Sequence, residues 1–281
     1  RRLLECGYAV HTRDVRAAAD TEARDAGATV CDSPAALAAA CRVVITLVVN
    51  EAQTEEVVFG ARGIAESLAP DAVLIVSSTV PPSFVESLAG RLAERGLTML
   101  DAPVSGGPAR ARAGTISAMI AGGNAALARA RDVLESISGA RFHMSERPGD
   151  GARMKLVNNM LAGVNLAGSC EALALGIRLG LDPQRVYDVV TASSGGSWIF
   201  GDRMPRVLAG DYDPKAAVTL LTKDVSLALG AAREADFPAP VAAAALQVYL
   251  ATVALGHGAE DDAALVKYYQ ALTGIELPQV R

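Results

Sequence analysis

The strongest constraint on the fold is a change of periodicity close to Gly149. Before it, apolar runs of strand length alternate with helix-like segments; after it, the chain runs from Gly151 to Leu179 without a proline. Apolar residues recur there at helical spacing, and one helix of about 30 residues is unusually long for a globular protein. We predict a doubly wound parallel α/β domain over residues 1–148 and an all-α domain over residues 149–281, joined through this helix.

Individual elements follow from the same patterns. The β-branched run Val43–Val49 predicts a strand that is buried on both faces of a parallel sheet. Ser33 followed by Pro34 is typical of a helix start. Further strands are predicted at Tyr8–Thr12, Val73–Val76, Thr98–Asp101, Thr115–Ala121 and Arg141–Met144. Helices are predicted at Pro34–Cys41, Ser83–Arg95, Pro183–Ser193, Pro214–Ala235, Pro238–Leu255 and Asp261–Thr273, with the end of a helix at Arg1–Gly7 and a helical stretch between Asp14 and Ala26.

Composition excludes several classes of protein. The 281 residues carry 26 Lys plus Arg against 31 Asp plus Glu, a net charge of −5 without a basic tract, which argues against nucleic-acid or anionic-membrane partners. Charges, Gly or Pro interrupt the apolar runs, so we expect no membrane span. The four cysteines and three histidines lack metal-ligand or disulfide spacing, so we predict no metal and a cytoplasmic location.

Polar turns follow several of the predicted strands. Asn50 comes after the first buried run, Thr79 ends a Ser-Ser-Thr turn, and Ser105-Gly106-Gly107 follow the strand that ends at Asp101. Since a doubly wound sheet binds ligands at the carboxyl ends of its strands, these residues are candidates for binding. A hydroxyl beside consecutive glycine N–H groups suits a carboxylate or phosphate. Ordinary turn chemistry is the alternative for each.

Asp14 follows the strand Tyr8–Thr12. An acidic residue in this place hydrogen-bonds a ribose 2′-hydroxyl and repels a 2′-phosphate, which favours NAD over NADP. Arg13 and Arg16 point the other way, because arginine is what a 2′-phosphate recruits, so NADP stays open. The structural alternative is that Asp14 caps the next helix.

Lysine usage singles out one residue of the long helix. Only four of the 26 basic residues are lysines, so arginine supplies the general surface charge. The retained lysines are therefore candidates for positions that need a titratable ammonium group. Lys155 and Asn159 are four residues apart and share a helix face, which predicts a general acid/base beside an orienting amide. An exposed helix lysine is the alternative.

Taken in order, the motifs resemble the β-hydroxyacid dehydrogenases, the 3-hydroxyisobutyrate dehydrogenase family. They are Ser77-Ser78-Thr79, the D-A-P-V-S-G-G run from Asp101 to Gly107, the K-L-V-N-N run from Lys155 to Asn159, and Lys223-Asp224. The resemblance covers essentially the whole chain. Segments of the second half, among them Gly210-Asp211-Tyr212-Asp213-Pro214, resemble the L-threonate dehydrogenase branch of that family.

The resemblance implies a Rossmann-type first domain and an NAD(P)-dependent oxidation of a β-hydroxyacid. It implies that Lys155 is the acid/base and that Asn159 orients a small carboxylate-bearing substrate, whose carboxylate binds Ser105, Gly106 and Gly107. Thr79 would contact the cofactor near the nicotinamide, and Lys223 would close over it. A homodimer or homotetramer through the α domain is expected.

The family pattern starts with a strand and a Gly-x-Gly-x-x-Gly loop that cradles the pyrophosphate, and neither is found in this sequence. We therefore expect an N-terminally truncated Rossmann-type sheet, which by itself binds dinucleotide poorly. The retained downstream motifs favour a fragment over a protein that has lost its dinucleotide site. A non-catalytic homologue or scaffold and an imine reductase on the same fold are the alternative functions.

Overall fold

The structure is a computed structural model that describes residues 1–279. It divides into two compact units, Arg1–Lys155 and Leu156–Arg281. The division falls inside the long helix, whereas the predicted domain boundary, between residues 148 and 149, lies in the turn that precedes this helix.

The first unit contains parallel strands in two groups. Strands β1 and β2 pair with each other, and β3, β4 and β5 are consecutive neighbours in a sheet of six strands. The sheet is not parallel throughout, because β7 runs antiparallel to both β5 and β6. The bounds are β1 His11–Thr12, β2 Thr29–Val30, β3 Val43–Thr46, β4 Val73–Val76, β5 Thr98–Asp101, β6 Val104–Ser105, β7 Ile116–Ala121 and β8 Ser138–Ser145.

Strand β4 shows why the sheet is covered on both faces. Its four residues are buried, and alternate side chains enter two different cores. Leu74 and Val76 join one core cluster, and Val73 and Ile75 join the other. This arrangement, with apolar helices on both sides of a central strand, confirms the doubly wound α/β class predicted from the β-branched runs.

The helices of the first unit include three that sequence periodicity did not indicate, namely α4, α6 and α7. The helix start predicted at Ser33 is confirmed, because Ser33 Oγ accepts a hydrogen bond from the Ala36 N–H at 3.1 Å. The bounds are α1 Arg2–Glu5, α2 Ala17–Asp25, α3 Pro34–Ala40, α4 Glu51–Phe59, α5 Pro82–Ala93, α6 Gly107–Ala113 and α7 Asn124–Ile137.

The second unit is helical, as predicted. Its core includes Leu166 and Leu173 of the long helix together with Phe200 and Tyr249. Helix α10 was not predicted, since it contains Pro205. The bounds are α8 Asp150–Arg178, which begins in the first unit, α9 Pro183–Thr191, α10 Trp198–Ala209, α11 Val218–Glu234, α12 Pro240–Thr252 and α13 Val266–Thr273.

Two segments are long and apolar enough to cross a membrane by length and composition alone: Asp150–Arg178, which is α8, and Pro240–His257, which is α12 with its irregular continuation. The expectation of short, interrupted apolar runs overlooked both. Each contributes to the core of the helical unit, α8 through Cys170 and α12 through Tyr249, both fully buried. A core helix meets the same criteria as a membrane span, so the absence of a membrane partner stays a prediction.

Candidate active site

Two serines brace the turns at the carboxyl ends of β3, β4 and β5. Ser77 Oγ donates to the Ala102 carbonyl at 2.9 Å, and Ser78 Oγ accepts from the Val48 N–H at 2.8 Å. Both serines are buried. They tie the turn after β4 to the turns after β5 and β3. The half-buried Thr79 follows these serines in the chain, and its contact with the cofactor stays a prediction.

The turn Ser105-Gly106-Gly107 leads from β6 into α6. Gly106 and Gly107 have φ values of +135° and +71°, which side chains rarely tolerate. At Gly106 a Cβ would also lie 3.1 Å from carbons of the Arg110 side chain. The glycine pair is thus required by the backbone itself. Carboxylate binding by this turn remains a prediction.

A buried carboxylate holds the start of α8 against β5. Asp101, the last residue of β5, is 1% exposed, and its Oδ2 accepts hydrogen bonds from the N–H groups of Gly149 at 3.0 Å and Ala152 at 2.9 Å. Burial raises the pKa of Asp101 to about 6, although these N–H groups favour the ionised form. A Cβ at Gly151 would lie 2.6 Å from the Met119 carbonyl oxygen, so the helix start packs directly on backbone.

Lys155 lies one turn after Gly151 on the same face of α8. It is 7% exposed, which rules out the exposed-lysine alternative. Lysines are almost never buried to this degree without a specific partner or function. The structure therefore places the lysine side chain in a desolvated position on a helix whose start is fixed at the carboxyl edge of the sheet.

One turn beyond Lys155, the predicted amide belongs to a polar network. Asn159 is 7% exposed, and its Nδ2 donates to Asp224 Oδ2 at 2.7 Å. Lys223 Nζ donates to the other oxygen of this carboxylate at 2.7 Å. Asn158 Nδ2 donates to Asn159 Oδ1 at 2.9 Å. The structure thus joins two predicted site residues, Asn159 and Lys223, through one carboxylate.

Asn50 begins α4. Its Oδ1 accepts from the Gln53 N–H at 2.9 Å, and Gln53 Oε1 accepts from the Val49 N–H at 2.9 Å. Asn50 is thus a side-chain cap of α4, and Gln53 satisfies the N–H of the residue before the cap. The structural alternative for Asn50 is therefore present, and its contact with the cofactor stays a prediction.

Asp14 stabilises the turn between β1 and α2. It accepts from the Arg16 N–H at 2.8 Å and from Arg16 Nε at 3.3 Å, and these contacts lower the pKa of Asp14. The cap residue of α2 is Arg16, so the suggestion that Asp14 caps this helix is wrong. Arg13 pairs with Asp20 at 3.0 Å. Both arginines beside Asp14 are thus engaged with carboxylates.

The three residues predicted to bind the cofactor have side chains that suit a nicotinamide dinucleotide. They are the carboxylate of Asp14 after β1, the amide of Asn50 after β3 and the hydroxyl of Thr79 after β4. Ribose hydroxyls and a carboxamide need such acceptors and donors. Residues 1–279 hold no group of three or more His, Cys, Asp or Glu side chains placed to bind a metal ion.

Two residues of the site had no role assigned from sequence: Asp101 and Asp224. Each belongs to a quoted motif, but its partners lie far away in the chain. Asp101 bonds to Gly149 and Ala152, and Asp224 bonds to Asn159, 65 residues earlier. A single sequence carries no local signal for such pairs.

Comparison with known proteins decides the family. The profile described as the NAD binding domain of 6-phosphogluconate dehydrogenase matches residues 1–145, and that described as NAD-binding of NADP-dependent 3-hydroxyisobutyrate dehydrogenase matches residues 149–269. The chain belongs to the 3-hydroxyisobutyrate dehydrogenase family. It is an NAD(P)-dependent hydroxyacid dehydrogenase, with a Rossmann-type domain followed by a helical domain.

Relatives of this dehydrogenase match nearly full length. The L-threonate dehydrogenase of Cupriavidus necator is 48% identical over 276 residues, which cover 98% of this chain and 92% of that protein. The L-threonate dehydrogenase of Escherichia coli K12 is 37% identical over 96% of this chain and 90% of its own. The crystal structure of 3-hydroxyisobutyrate dehydrogenase from Salmonella typhimurium aligns with a TM-score of 0.90 at 36% identity, covering 95% of this chain and 93% of that one.

Proposed function

We propose that this dehydrogenase oxidises L-threonate or a closely similar polyhydroxylated acid. The observation that carries the reaction is the buried Lys155 on a helix whose start is anchored by Asp101. The substrate follows from the relatives named L-threonate dehydrogenase, at 48% and 37% identity, and from the second-half motifs that resemble that branch.

Each residue has one task in the proposed reaction. The backbone N–H groups and hydroxyl of Ser105-Gly106-Gly107 hold the substrate carboxylate. Asn159 donates from its amide to a substrate oxygen, and Lys155 Nζ accepts the proton of the hydroxyl that is oxidised. Thr79, Asn50, Asp14 and Lys223 contact the dinucleotide. When bound, the nicotinamide supplies the acceptor for the hydride that leaves the carbon bearing this hydroxyl group.

A substrate panel tests this proposal. The purified enzyme is assayed with L-threonate, its enantiomer and 3-hydroxyisobutyrate, each with NAD and NADP, and the keto product is identified by mass spectrometry. We expect kcat/KM for L-threonate to exceed that for 3-hydroxyisobutyrate by about 100-fold or more, because a site built for several hydroxyls rejects an acid that lacks them. Preference for 3-hydroxyisobutyrate would refute the substrate but not the dehydrogenase chemistry.

Asp14 should set the cofactor preference. Its carboxylate repels a 2′-phosphate, and its arginine neighbours already have carboxylate partners. We therefore expect the enzyme to prefer NAD. Asp14→Ala should lower the ratio of kcat/KM for NAD to kcat/KM for NADP. Asp25→Ala is the matched control, since it removes an exposed carboxylate from the same helix α2 and keeps Asp14 with its contacts, so it should leave the ratio unchanged. A native preference for NADP would contradict the prediction.

We also propose that the enzyme is a cytoplasmic homo-oligomer that associates through its helical unit. The apolar window of Pro240–His257 is only 22% buried, and Val241, Leu250 and Leu255 are each exposed by 45% or more. No charged residue occurs between positions 237 and 256. Two copies related by a two-fold axis can therefore cover these faces without bringing like charges together.

Sedimentation velocity tests the association. Leu250→Asp places a charge in the apolar face and should shift the enzyme toward the monomer. Leu272→Asp, at a leucine of α13 that is 67% exposed, is the control and should leave the assembly intact. A monomeric wild-type enzyme, or a Leu250→Asp variant with unchanged sedimentation, would overturn the proposed interface.

A further inference from the structure

Asp224 lies on α11 beside Lys223 and is mostly buried, with a side-chain exposure of 13%. Its two carboxylate oxygens have different partners, as Oδ1 accepts from Lys223 Nζ and Oδ2 accepts from Asn159 Nδ2. Both distances are 2.7 Å, which is typical of charge-assisted hydrogen bonds. A single carboxylate therefore bridges an ammonium group and an amide that lie on different helices.

The chemistry of Asp224 fixes which way the Asn159 amide faces. An ionised carboxylate only accepts hydrogen bonds, so the amide atom beside it must be the NH₂ group. The contact on the other side agrees, because Asn159 Oδ1 accepts from Asn158 Nδ2. With one N–H held by Asp224, Asn159 keeps its second N–H as the donor that it can offer to a substrate oxygen.

We propose that Asp224 is a positioning residue for the hydroxyacid reaction: it holds Asn159 in the donor orientation and Lys223 in place with the same carboxylate. This inference rests on the roles proposed above for Asn159 and Lys223. A substrate oxygen would then meet an N–H group that is already oriented. Substrate binding would not have to offset the entropy cost of ordering the Asn159 amide. Binding of the substrate and binding of the dinucleotide would also be coupled, because Asn159 and Lys223 are both held by Asp224.

Asp224→Asn is the most direct variant, since it keeps the size of the side chain and removes the charge. Its single oxygen can serve only one of the two donors, so an NH₂ group is left facing either Lys223 or Asn159. We expect kcat to fall roughly 10- to 100-fold, the range that corresponds to losing one hydrogen bond to a charged group. We also expect a higher KM for the dinucleotide, whereas Asp224→Glu, which keeps both acceptors, should recover part of the rate.

The control is a carboxylate with a similar partner elsewhere in the helical unit. Asp188 accepts from Gln184 Nε2 at 2.8 Å on the exposed surface of α9. Asp188→Asn removes the same kind of amide–carboxylate contact and should leave kcat and KM unchanged. Thermal melting of both variants checks that the fold is retained at the assay temperature.

A double-mutant cycle separates positioning from a merely structural role. If Asp224 affects kcat through Asn159, then Asp224→Asn combined with Asn159→Ala should lower kcat no further than Asn159→Ala alone. Additive losses of kcat would overturn the inference, as would an unchanged kcat in Asp224→Asn. Should Asn159→Ala itself keep full activity, the role proposed for Asn159 fails, and that result is distinct from a failure of Asp224.

Discussion

Lys155→Ala is expected to lower kcat by about 10²–10⁴-fold, the usual contribution of a positioned proton-transfer group. The reason is structural as well as chemical. Lys155 is 7% exposed on a helix held at its start by Asp101, so water cannot readily take the place of its amine. The dissociation constant of the dinucleotide should change little, because the lysine acts on the substrate hydroxyl. Steady-state kinetics and a dinucleotide titration measure the two effects.

Two further variants make this test specific. Lys155→Arg keeps the positive charge but not a group that loses its proton near neutral pH, so it should be about as inactive as the alanine variant. Lys215→Ala removes another of the four lysines, one that is half exposed and 3.5 Å from Asp211, and should be fully active. A Lys155→Ala enzyme with more than half of the wild-type rate would exclude the lysine as the acid/base.

Asp101→Ala should destabilise the first unit by about 2–6 kcal/mol, since it leaves the buried N–H groups of Gly149 and Ala152 without their acceptor, at about 1–3 kcal/mol each. The start of α8 loses its attachment to β5, so kcat should fall together with the stability. Asp101→Asn retains an oxygen acceptor and should lose less. Calorimetric melting of the wild type and the two variants measures the order of their stabilities. An Asp101→Ala variant as stable as the wild type would contradict the prediction.

The charge of Asp101 adds a pH dependence with a definite sign. Burial raises the pKa of Asp101 in the folded state to about 6, above the ordinary value of 3.8 for an aspartate, so the folded protein binds the proton more tightly than the unfolded chain. Stability from this group therefore falls as the pH rises from about 4 to about 6, by up to about 3 kcal/mol at 1.36 kcal/mol per pKa unit. Asp101→Asn has no such proton, so its melting temperature relative to the wild type should increase over this range.

The parts of the fold that sequence could predict are those with strong apolar contrast. The predicted bounds of Val73–Val76 and Thr98–Asp101 match the structure to the residue, because each short segment has turn-forming residues within two positions of both ends. The run Val43–Val49 was predicted too long, since β3 ends at Thr46 and the exposed Leu47 and Val49 lie in the following turn. An apolar run does not mark where the backbone leaves a sheet.

The missed helices have weaker signals. Helix α7 buries Ala126, Ala130 and Leu134 at a spacing of four residues, but two of the three are alanines, which contribute little to an apolar pattern. Helix α10 contains Pro205, which by local rules ends a helix. In α10 tertiary packing outweighs the local preference, whereas the residues of α7 favour a helix and the structure agrees with them.

The candidate site also contains residues that the sequence could indicate and residues that only the structure reveals. Lys155 was found because lysine is rare in this chain, and its burial rules out the exposed alternative. The contribution of Asp101 and Asp224 depends on pairs of residues far apart in the chain, so only the folded structure could reveal it. Asn50 shows the reverse, because its capping bond is what ordinary local chemistry predicts.

The continuous helix α8 limits how this enzyme can evolve. Lys155 is the last residue of one compact unit and Asn159 lies just inside the next, with no loop between them to absorb a change in length. Inserting or deleting one residue between them would rotate the Asn159 amide by about 100° around the helix axis relative to the Lys155 side chain. Recombination that exchanges helical units among related dehydrogenases should therefore succeed only where the crossover conserves this spacing, whereas the surface loops can vary in length.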